Sequence, residues 1–189
     1  ADDKYFRNIK FDKRLSKEEL SINSNSGIAS FSFGEVDETA NLKENAIYFW
    51  RIAAVDQKGL RSPYRRNYPR LTYNTRNDPP LAVNKYYSTK NGKLVNTQTP
   101  TLKWGEAEDP DFMDFSRTLK YTIQLSRSRD FKTYNIFTYQ TREGVTSYKI
   151  PKKLDENTRW YYQIQTIDMK GATSDWSQVD SFIVNARQE

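Results

Sequence analysis

The residues best able to do chemistry form one short run: Glu108, Asp109, Pro110, Asp111, Phe112, Met113 and Asp114. Carboxylates at closely spaced positions in a loop, as at Asp109, Asp111 and Asp114, could gather a hard cation such as calcium through oxygens. The run lacks the central glycine and the closing glutamate of an EF-hand loop. The competing reading is structural, with Asp109 and Asp111 capping turns through their side chains. Little else is reactive. The 189 residues include no His and no Cys, which removes His-based triads, imidazole and thiolate metal sites, and disulfides. No glycine-rich phosphate loop follows a strand, and no spacing sets two carboxylates across a cleft as a glycosidase needs. Without a nucleophile–base pair, no hydrolase, transferase or redox activity is expected, and no cofactor beyond the calcium candidate.

The net charge of +6 is concentrated. Lys58, Arg61, Arg65, Arg66, Arg70 and Arg76 fall in a window, residues 57–77, that has no acidic residue, and without them the chain is charge-balanced. Such a basic strip could meet an anionic glycan, nucleic acid or a membrane surface. It could equally be an edge strand whose cations prevent edge-to-edge pairing. Nucleic acid is disfavoured, because no platform fold such as an OB barrel accompanies the strip. No apolar run reaches membrane-spanning length. Aromatics at Phe131, Tyr134, Phe137 and Tyr139 could stack sugar rings or bases, although alternation turns half of them inward.

The elements that must position these residues are organised around residues 154–177. A turn signal opens that stretch, an aromatic strand follows, and a tight turn leads to a second edge carrying Trp176. The same design occurs at residues 42–65. At a constant offset of 112, Leu154, Asn157, Ile164, Asp168, Gly171 and Ser174 recur as Leu42, Asn45, Ile52, Asp56, Gly59 and Ser62. A repeat of about 110 residues is domain-sized, so two copies of one small domain are expected. Asn77, Asp78, Pro79 and Pro80 mark the boundary, giving domains at 1–78 and 79–189.

In the first domain, strands are expected at 5–11, with Ile9 and Phe11 on one face, and at 28–33. A further strand at 48–55 would turn Tyr48, Trp50, Ile52 and Ala54 to one side, with extended chain over 60–73. In the second, strands are expected at 81–87, 99–104, 131–140 and 145–150. Leu119, Tyr121, Ile123 and Leu125 alternate strictly in another, and 154–177 and 181–184 supply the rest. Seven short strands with turn signals between them indicate an all-β sandwich, immunoglobulin-like in type.

Residues 79–185 resemble a fibronectin type III domain of the kind found in bacterial surface and secreted proteins. The resemblance is carried by PPLAV, TPTLKW, DPDFMD, KYTIQLSRSRDF, LDENTRWYYQIQTIDMKGATSDWS and SFIVN. It implies a core of Trp104, Tyr121, Ile123, Leu154, Trp160, Tyr162 and Ile164. Trp160 stands where that family usually carries the tyrosine of the corner hydrogen bond. The first half is similar to the family over 42–65, which implies two sandwiches in tandem, the first incomplete. Thr173 to Ser177 resembles the end of the WSxWS box of cytokine receptors, but the second Trp and the cysteine pairs are missing. The resemblance implies a non-catalytic spacer or adhesion-type protein contact within a larger extracellular, cell-surface or periplasmic protein. The alternative is an accessory carbohydrate-contacting segment of a polysaccharide-degrading enzyme. Only 41 residues precede Leu42, against about 75 between Pro79-Pro80 and Leu154. The chain is therefore expected to be a fragment or a processed piece, with any targeting signal already gone from its start. Upstream strands, a protein partner or a second copy would complete its first domain.

Overall fold

The computed structural model describes residues 1–26, 28–30, 42–64, 67–112, 114–132 and 135–186. The chain divides into two compact units, Ala1–Arg76 and Asn77–Glu189.

The second unit is a β-sandwich. One sheet has five strands: β5 (Lys93–Val95), β11 (Asp180–Val184), β10 (Thr158–Ile167), β7 (Lys120–Ser126) and β8 (Phe137–Gln140), in that spatial order. The other layer pairs β6 (Thr101–Lys103) with β9 (Ser147–Lys149) in antiparallel register, Leu102 opposite Tyr148. Strand β10 is the spine, flanked by β7 and β11 in antiparallel ladders that set Ile164 opposite Ile123 and Trp160 opposite Phe182. Its alternation is physical: every second side chain of a strand faces the core, so Trp160, Tyr162, Ile164 and Thr166 are buried. Leu119, Tyr121, Ile123 and Leu125 meet them from β7 and its N-terminal edge, and Leu102 and Trp104 close the core from the second layer. Trp104 and Tyr121 pack edge to face at 5.4 Å. The Tyr162 hydroxyl donates to the Thr89 carbonyl at 3.2 Å, a bond from β10 back to the chain upstream. The Trp160 indole N–H has no such partner.

Several expected strands are shorter than the pattern suggests. Around residues 81–87 there is a single bridge, Tyr86 to Trp104, bounded by hydrogen bonds from Tyr87 N to Lys103 O and from Gly105 N to Lys85 O. In place of a strand over 131–140, the extended ladder begins at Phe137. Upstream, Ser128 and Lys132 N are tied to the Asp130 carboxylate and Phe131 takes φ 53°, which bends the chain out of pairing. Residues 173–177 pair with β10 partly through serine hydroxyls: Thr166 N donates to Ser174 Oγ and Ile164 N to Ser177 Oγ, at 2.9 and 2.8 Å. Strand β5, parallel to β11, is absent from the sequence-based expectation. Its three residues follow a tight turn in which Asn91 and Gly92 both have positive φ, and Leu94 remains half exposed. A parallel partner 89 positions away leaves no local signal in the sequence.

The first unit is sparser. Among the described residues it holds two antiparallel pairs: β1 (Ser21–Ile22) with β2 (Ala29–Ser30), and β3 (Ala46–Phe49) with β4 (Arg70–Tyr73). Residues 5–11 are not the expected strand. The Asp3 carboxylate accepts from the backbone of Tyr5, Arg7 and Asn8, and Phe6 has φ 55°, so local turns take the hydrogen bonds that a ladder would need. Of the strand expected over 28–33, Ala29 and Ser30 pair, and 31–33 lie outside the described residues. The strand expected over 48–55 stops at Phe49. Tyr48 is buried, but Trp50 is 40% and Ile52 77% exposed, so the shared apolar face does not form a core there.

Candidate functional site

The acidic run occupies one end of the second sandwich, between Ala107 and the short 3-10 turn Ser116–Thr118 that leads into β7. Carboxylate oxygens of Asp109, Asp111 and Asp114 all lie within 4.8 Å of one another. Two of the three side chains are inside the fold: Asp111 is 3% and Asp114 7% exposed. Met113, between them, lies outside the described residues.

Local hydrogen bonds shape the loop. Asp111 N donates to Asp109 Oδ1 at 2.7 Å, an Asx-type turn, and Asp114 N donates to the Asp111 carbonyl at 3.0 Å. The Asp78 backbone N donates to Asp111 Oδ2 at 3.2 Å, which ties the stretch before Pro79 to the loop. The Asp111 carboxylate thus takes a bond from 33 positions away, while turn capping accounts for one oxygen of Asp109. It leaves Asp109 Oδ2, which is enclosed and without a hydrogen-bond partner. Enclosure, together with the like charges of Asp114, Asp111 and Asp168, pushes the Asp109 carboxyl up to about 6; the largest cause is desolvation.

The sequence marks Asp168 only as a repeated turn residue. In the fold its Oδ1 caps the tight turn after β10, accepting from Lys170 N and Ala172 N at 2.8 Å each, and its Oδ2 accepts from the Asn77 amide at 2.6 Å. The other amide atom, Asn77 Oδ1, is buried without a partner. Asn77 and Asp168 are 91 positions apart, so no local pattern could have joined them to the acidic run.

Four residues of the basic strip are described, and they sit on different local elements. Lys58 sits in the turn after Asp56, and Arg61 bridges to Val55 and stacks on Tyr64 at 4.8 Å. Arg70 opens β4 opposite Phe49, and Arg76 lies beyond the far end of that strand. Arg65 and Arg66 lie outside the described residues. Sequence reasoning missed Arg51, whose guanidinium stands 4.2 Å from the Phe6 ring and 4.0 Å from Tyr64. Of the aromatics proposed for stacking, Phe137 packs on Trp160 and Tyr139 on Tyr148, both half-buried against the core. Their faces are spent on packing. Tyr134 lies outside the described residues.

A family model described as Rha78A-like, N-terminal immunoglobulin domain matches residues 83–185, more than half of the chain and nearly all of the sandwich. The chain belongs to that family. No curated protein matches the chain. Among solved structures it is similar to an α-L-rhamnosidase from Dictyoglumus thermophilum at 15% identity and a TM-score of 0.44, covering 57% of this chain and 13% of that one. It is similar to the sixth fibronectin type III domain of a human fibronectin type III domain-containing protein at 15% identity and 0.42, covering 61% and 94%. The FN1–FN3 domains of chicken CNTN1 match at 13% identity and 0.47, covering 77% and 46%. The chain thus spans a small part of the rhamnosidase's length. In this chain the matched immunoglobulin-like core is the pair of layers formed by β5 to β11, and the acidic loop joins its two sheets. Among the described residues, no helix is long and apolar enough to cross a membrane.

Proposed function

We propose that this chain is a non-catalytic immunoglobulin-like module, a spacer and contact surface for a neighbouring domain within a larger, glycan-processing protein that acts outside the cytoplasm. The family match over residues 83–185 carries this reading, since its description places such a domain at the N-terminus of Rha78A-like proteins. The fate of the polar side chains supports it. Asp168, Ser174 and Ser177 serve backbone groups of the sandwich, and the Tyr121 hydroxyl accepts from Ala107 N. Direct sugar stacking by the aromatic strand is disfavoured, because Phe137 and Tyr139 are engaged with core rings. In this role the module works through shape and stiffness, which the continuous β10 spine supplies.

The test is to assay the chain on a panel of aryl glycosides, rhamnosides included, and to titrate it with neutral and acidic oligosaccharides by calorimetry. No turnover and no saturable heat are expected. Turnover that disappears on substitution of a single carboxylate, or a sugar isotherm abolished by Tyr139→Ala, would overturn the reading.

A further inference from the structure

The acidic loop, the stretch before Pro79 and the turn after β10 converge at one end of the second sandwich. Three observations there point beyond turn capping. First, the residue Asp114 is only 7% exposed, and among the described residues no hydrogen bond or ion pair engages its carboxylate, whose oxygens are not fully enclosed. That carboxylate nevertheless points into the cluster, within 4.8 Å of oxygens from Asp109 and Asp111. Second, Asp109 Oδ2 is fully enclosed and has no hydrogen-bond donor. Third, Asn77 Oδ1 is likewise enclosed without a donor, and its amide is held by Asp168, the fourth carboxylate of the neighbourhood. Burying unpartnered oxygens is costly, and burying ionised ones far more so, unless a cation satisfies them.

We propose that Asp109, Asp111 and Asp114 form a calcium site that clamps the start of the second unit onto its acidic loop. The spacing suits that ion. Calcium holds oxygens at about 2.3–2.6 Å, so ligands on opposite sides of it stand up to about 5 Å apart, while magnesium's shorter bonds and strict octahedron demand a tighter set. Asp111 is the hinge of the arrangement: its Oδ2 receives Asp78 N, so an ion held by Asp111 also fixes the chain immediately before Pro79. Asp168 takes an outer place, since the turn amides and Asn77 already engage both of its oxygens. Turning Asn77 Oδ1 toward the ion would extend the same clamp to residue 77. The clamp is independent of the module's role in a larger protein.

The experiment uses the whole chain and calcium alone. After EDTA treatment and desalting, calcium chloride is titrated by calorimetry, and thermal unfolding is followed with and without the metal. One equivalent of calcium is expected to bind saturably, with magnesium at least tenfold weaker, and the unfolding temperature of the second unit should rise by several degrees. Asp109→Asn and Asp114→Asn, each close in shape to wild type, should weaken binding by tenfold or more. Glu143→Gln, an exposed acid paired with Lys120, should leave it unchanged. The wild-type titration decides the matter even if a variant unfolds. Absence of binding at millimolar calcium would overturn the proposal, as would binding that Glu143→Gln reduces as much as Asp114→Asn does.

Discussion

The hairpin at 154–177 and the hairpin at 42–65 are two solutions of one local problem, and they separate what a turn dictates from what a core dictates. Their turns agree almost bond for bond. Asp168 Oδ1 accepts from Lys170 N and Ala172 N, and Asp56 Oδ1 from Lys58 N and Leu60 N. Thr166 N donates to Ser174 Oγ at 2.9 Å, and Ala54 N to Ser62 Oγ at 3.0 Å. Gly171 and Gly59 take φ 92° and 83°, a left-handed conformation that a residue with a Cβ adopts only with strain. The strands agree at one position, Tyr48 and Trp160, both buried, and diverge beyond it. Tyr162 and Ile164 are 1% and 0% exposed, whereas their counterparts Trp50 and Ile52 are 40% and 77% exposed. Even the pairing slips, because Trp160 faces Phe182 but Tyr48 faces Leu71, one position further on in the repeat. Local chemistry therefore builds the turn whether the strand face beside it is buried or exposed, and an apolar strand face gains its energy only where it is covered.

The largest effect that sharpens this contrast is at Trp104, the plug contributed by the second layer. Trp104→Ala should destabilise the second unit by about 3–5 kcal/mol in chemical denaturation. An unchanged denaturation midpoint would mean that the second layer is not what distinguishes the two hairpins. Next comes the matched pair Ile164→Ala and Ile52→Ala. The first should cost about 2–5 kcal/mol, and the second should stay within about 0.5 kcal/mol, as expected for a surface position. Equal losses would show that the face of the first hairpin is covered after all.

Much of the sandwich was legible in the sequence, and so was the acidic loop. Strict alternation over Leu119, Tyr121, Ile123 and Leu125 announces a strand with one buried face, and TPTLKW places Leu102 and Trp104 inward, as found. The same alternation holds at Tyr48 but misleads at Trp50 and Ile52. Period-2 patterning reports a capacity to bury one face, and burial depends on chain elsewhere to cover it. The expected strand over 5–11 fails for another reason: Asp3 captures three backbone N–H groups locally. The run from Asp109 to Asp114 was visible as a cluster of acids. The contribution of Asn77 and Asp168 was not, since only the fold brings them beside it.

Smaller effects test the turns and the acidic end. Asp168→Ala removes acceptors from buried or half-buried amides and should cost about 1–3 kcal/mol; Asp56→Ala, in an exposed turn, should cost less than about 1 kcal/mol. Thermal melts of the two variants check this ordering. The pH response of Asp109 should be smaller still. Its folded-state pKa of about 6 lies above the ordinary value of 3.8, so the folded state holds the proton more tightly than the unfolded chain does. Its stabilising contribution is complete below 3.8 and is lost as pH rises through about 6. In EDTA, the unfolding temperature of wild type relative to Asp109→Asn should therefore fall between pH 5 and pH 7. A relative rise over that range would contradict it.

Native-state hydrogen exchange on the amides of Thr166 and Ala54 tests the central claim most directly. Both donate to a serine hydroxyl across the same kind of turn, at 2.9 and 3.0 Å, so any difference reflects the structure behind them. Thr166 should exchange only through global opening of the second unit, and Ala54 at least a hundredfold faster through local opening. Similar protection at the two amides would contradict the account, because it would mean that a core of equal strength stands behind each hairpin.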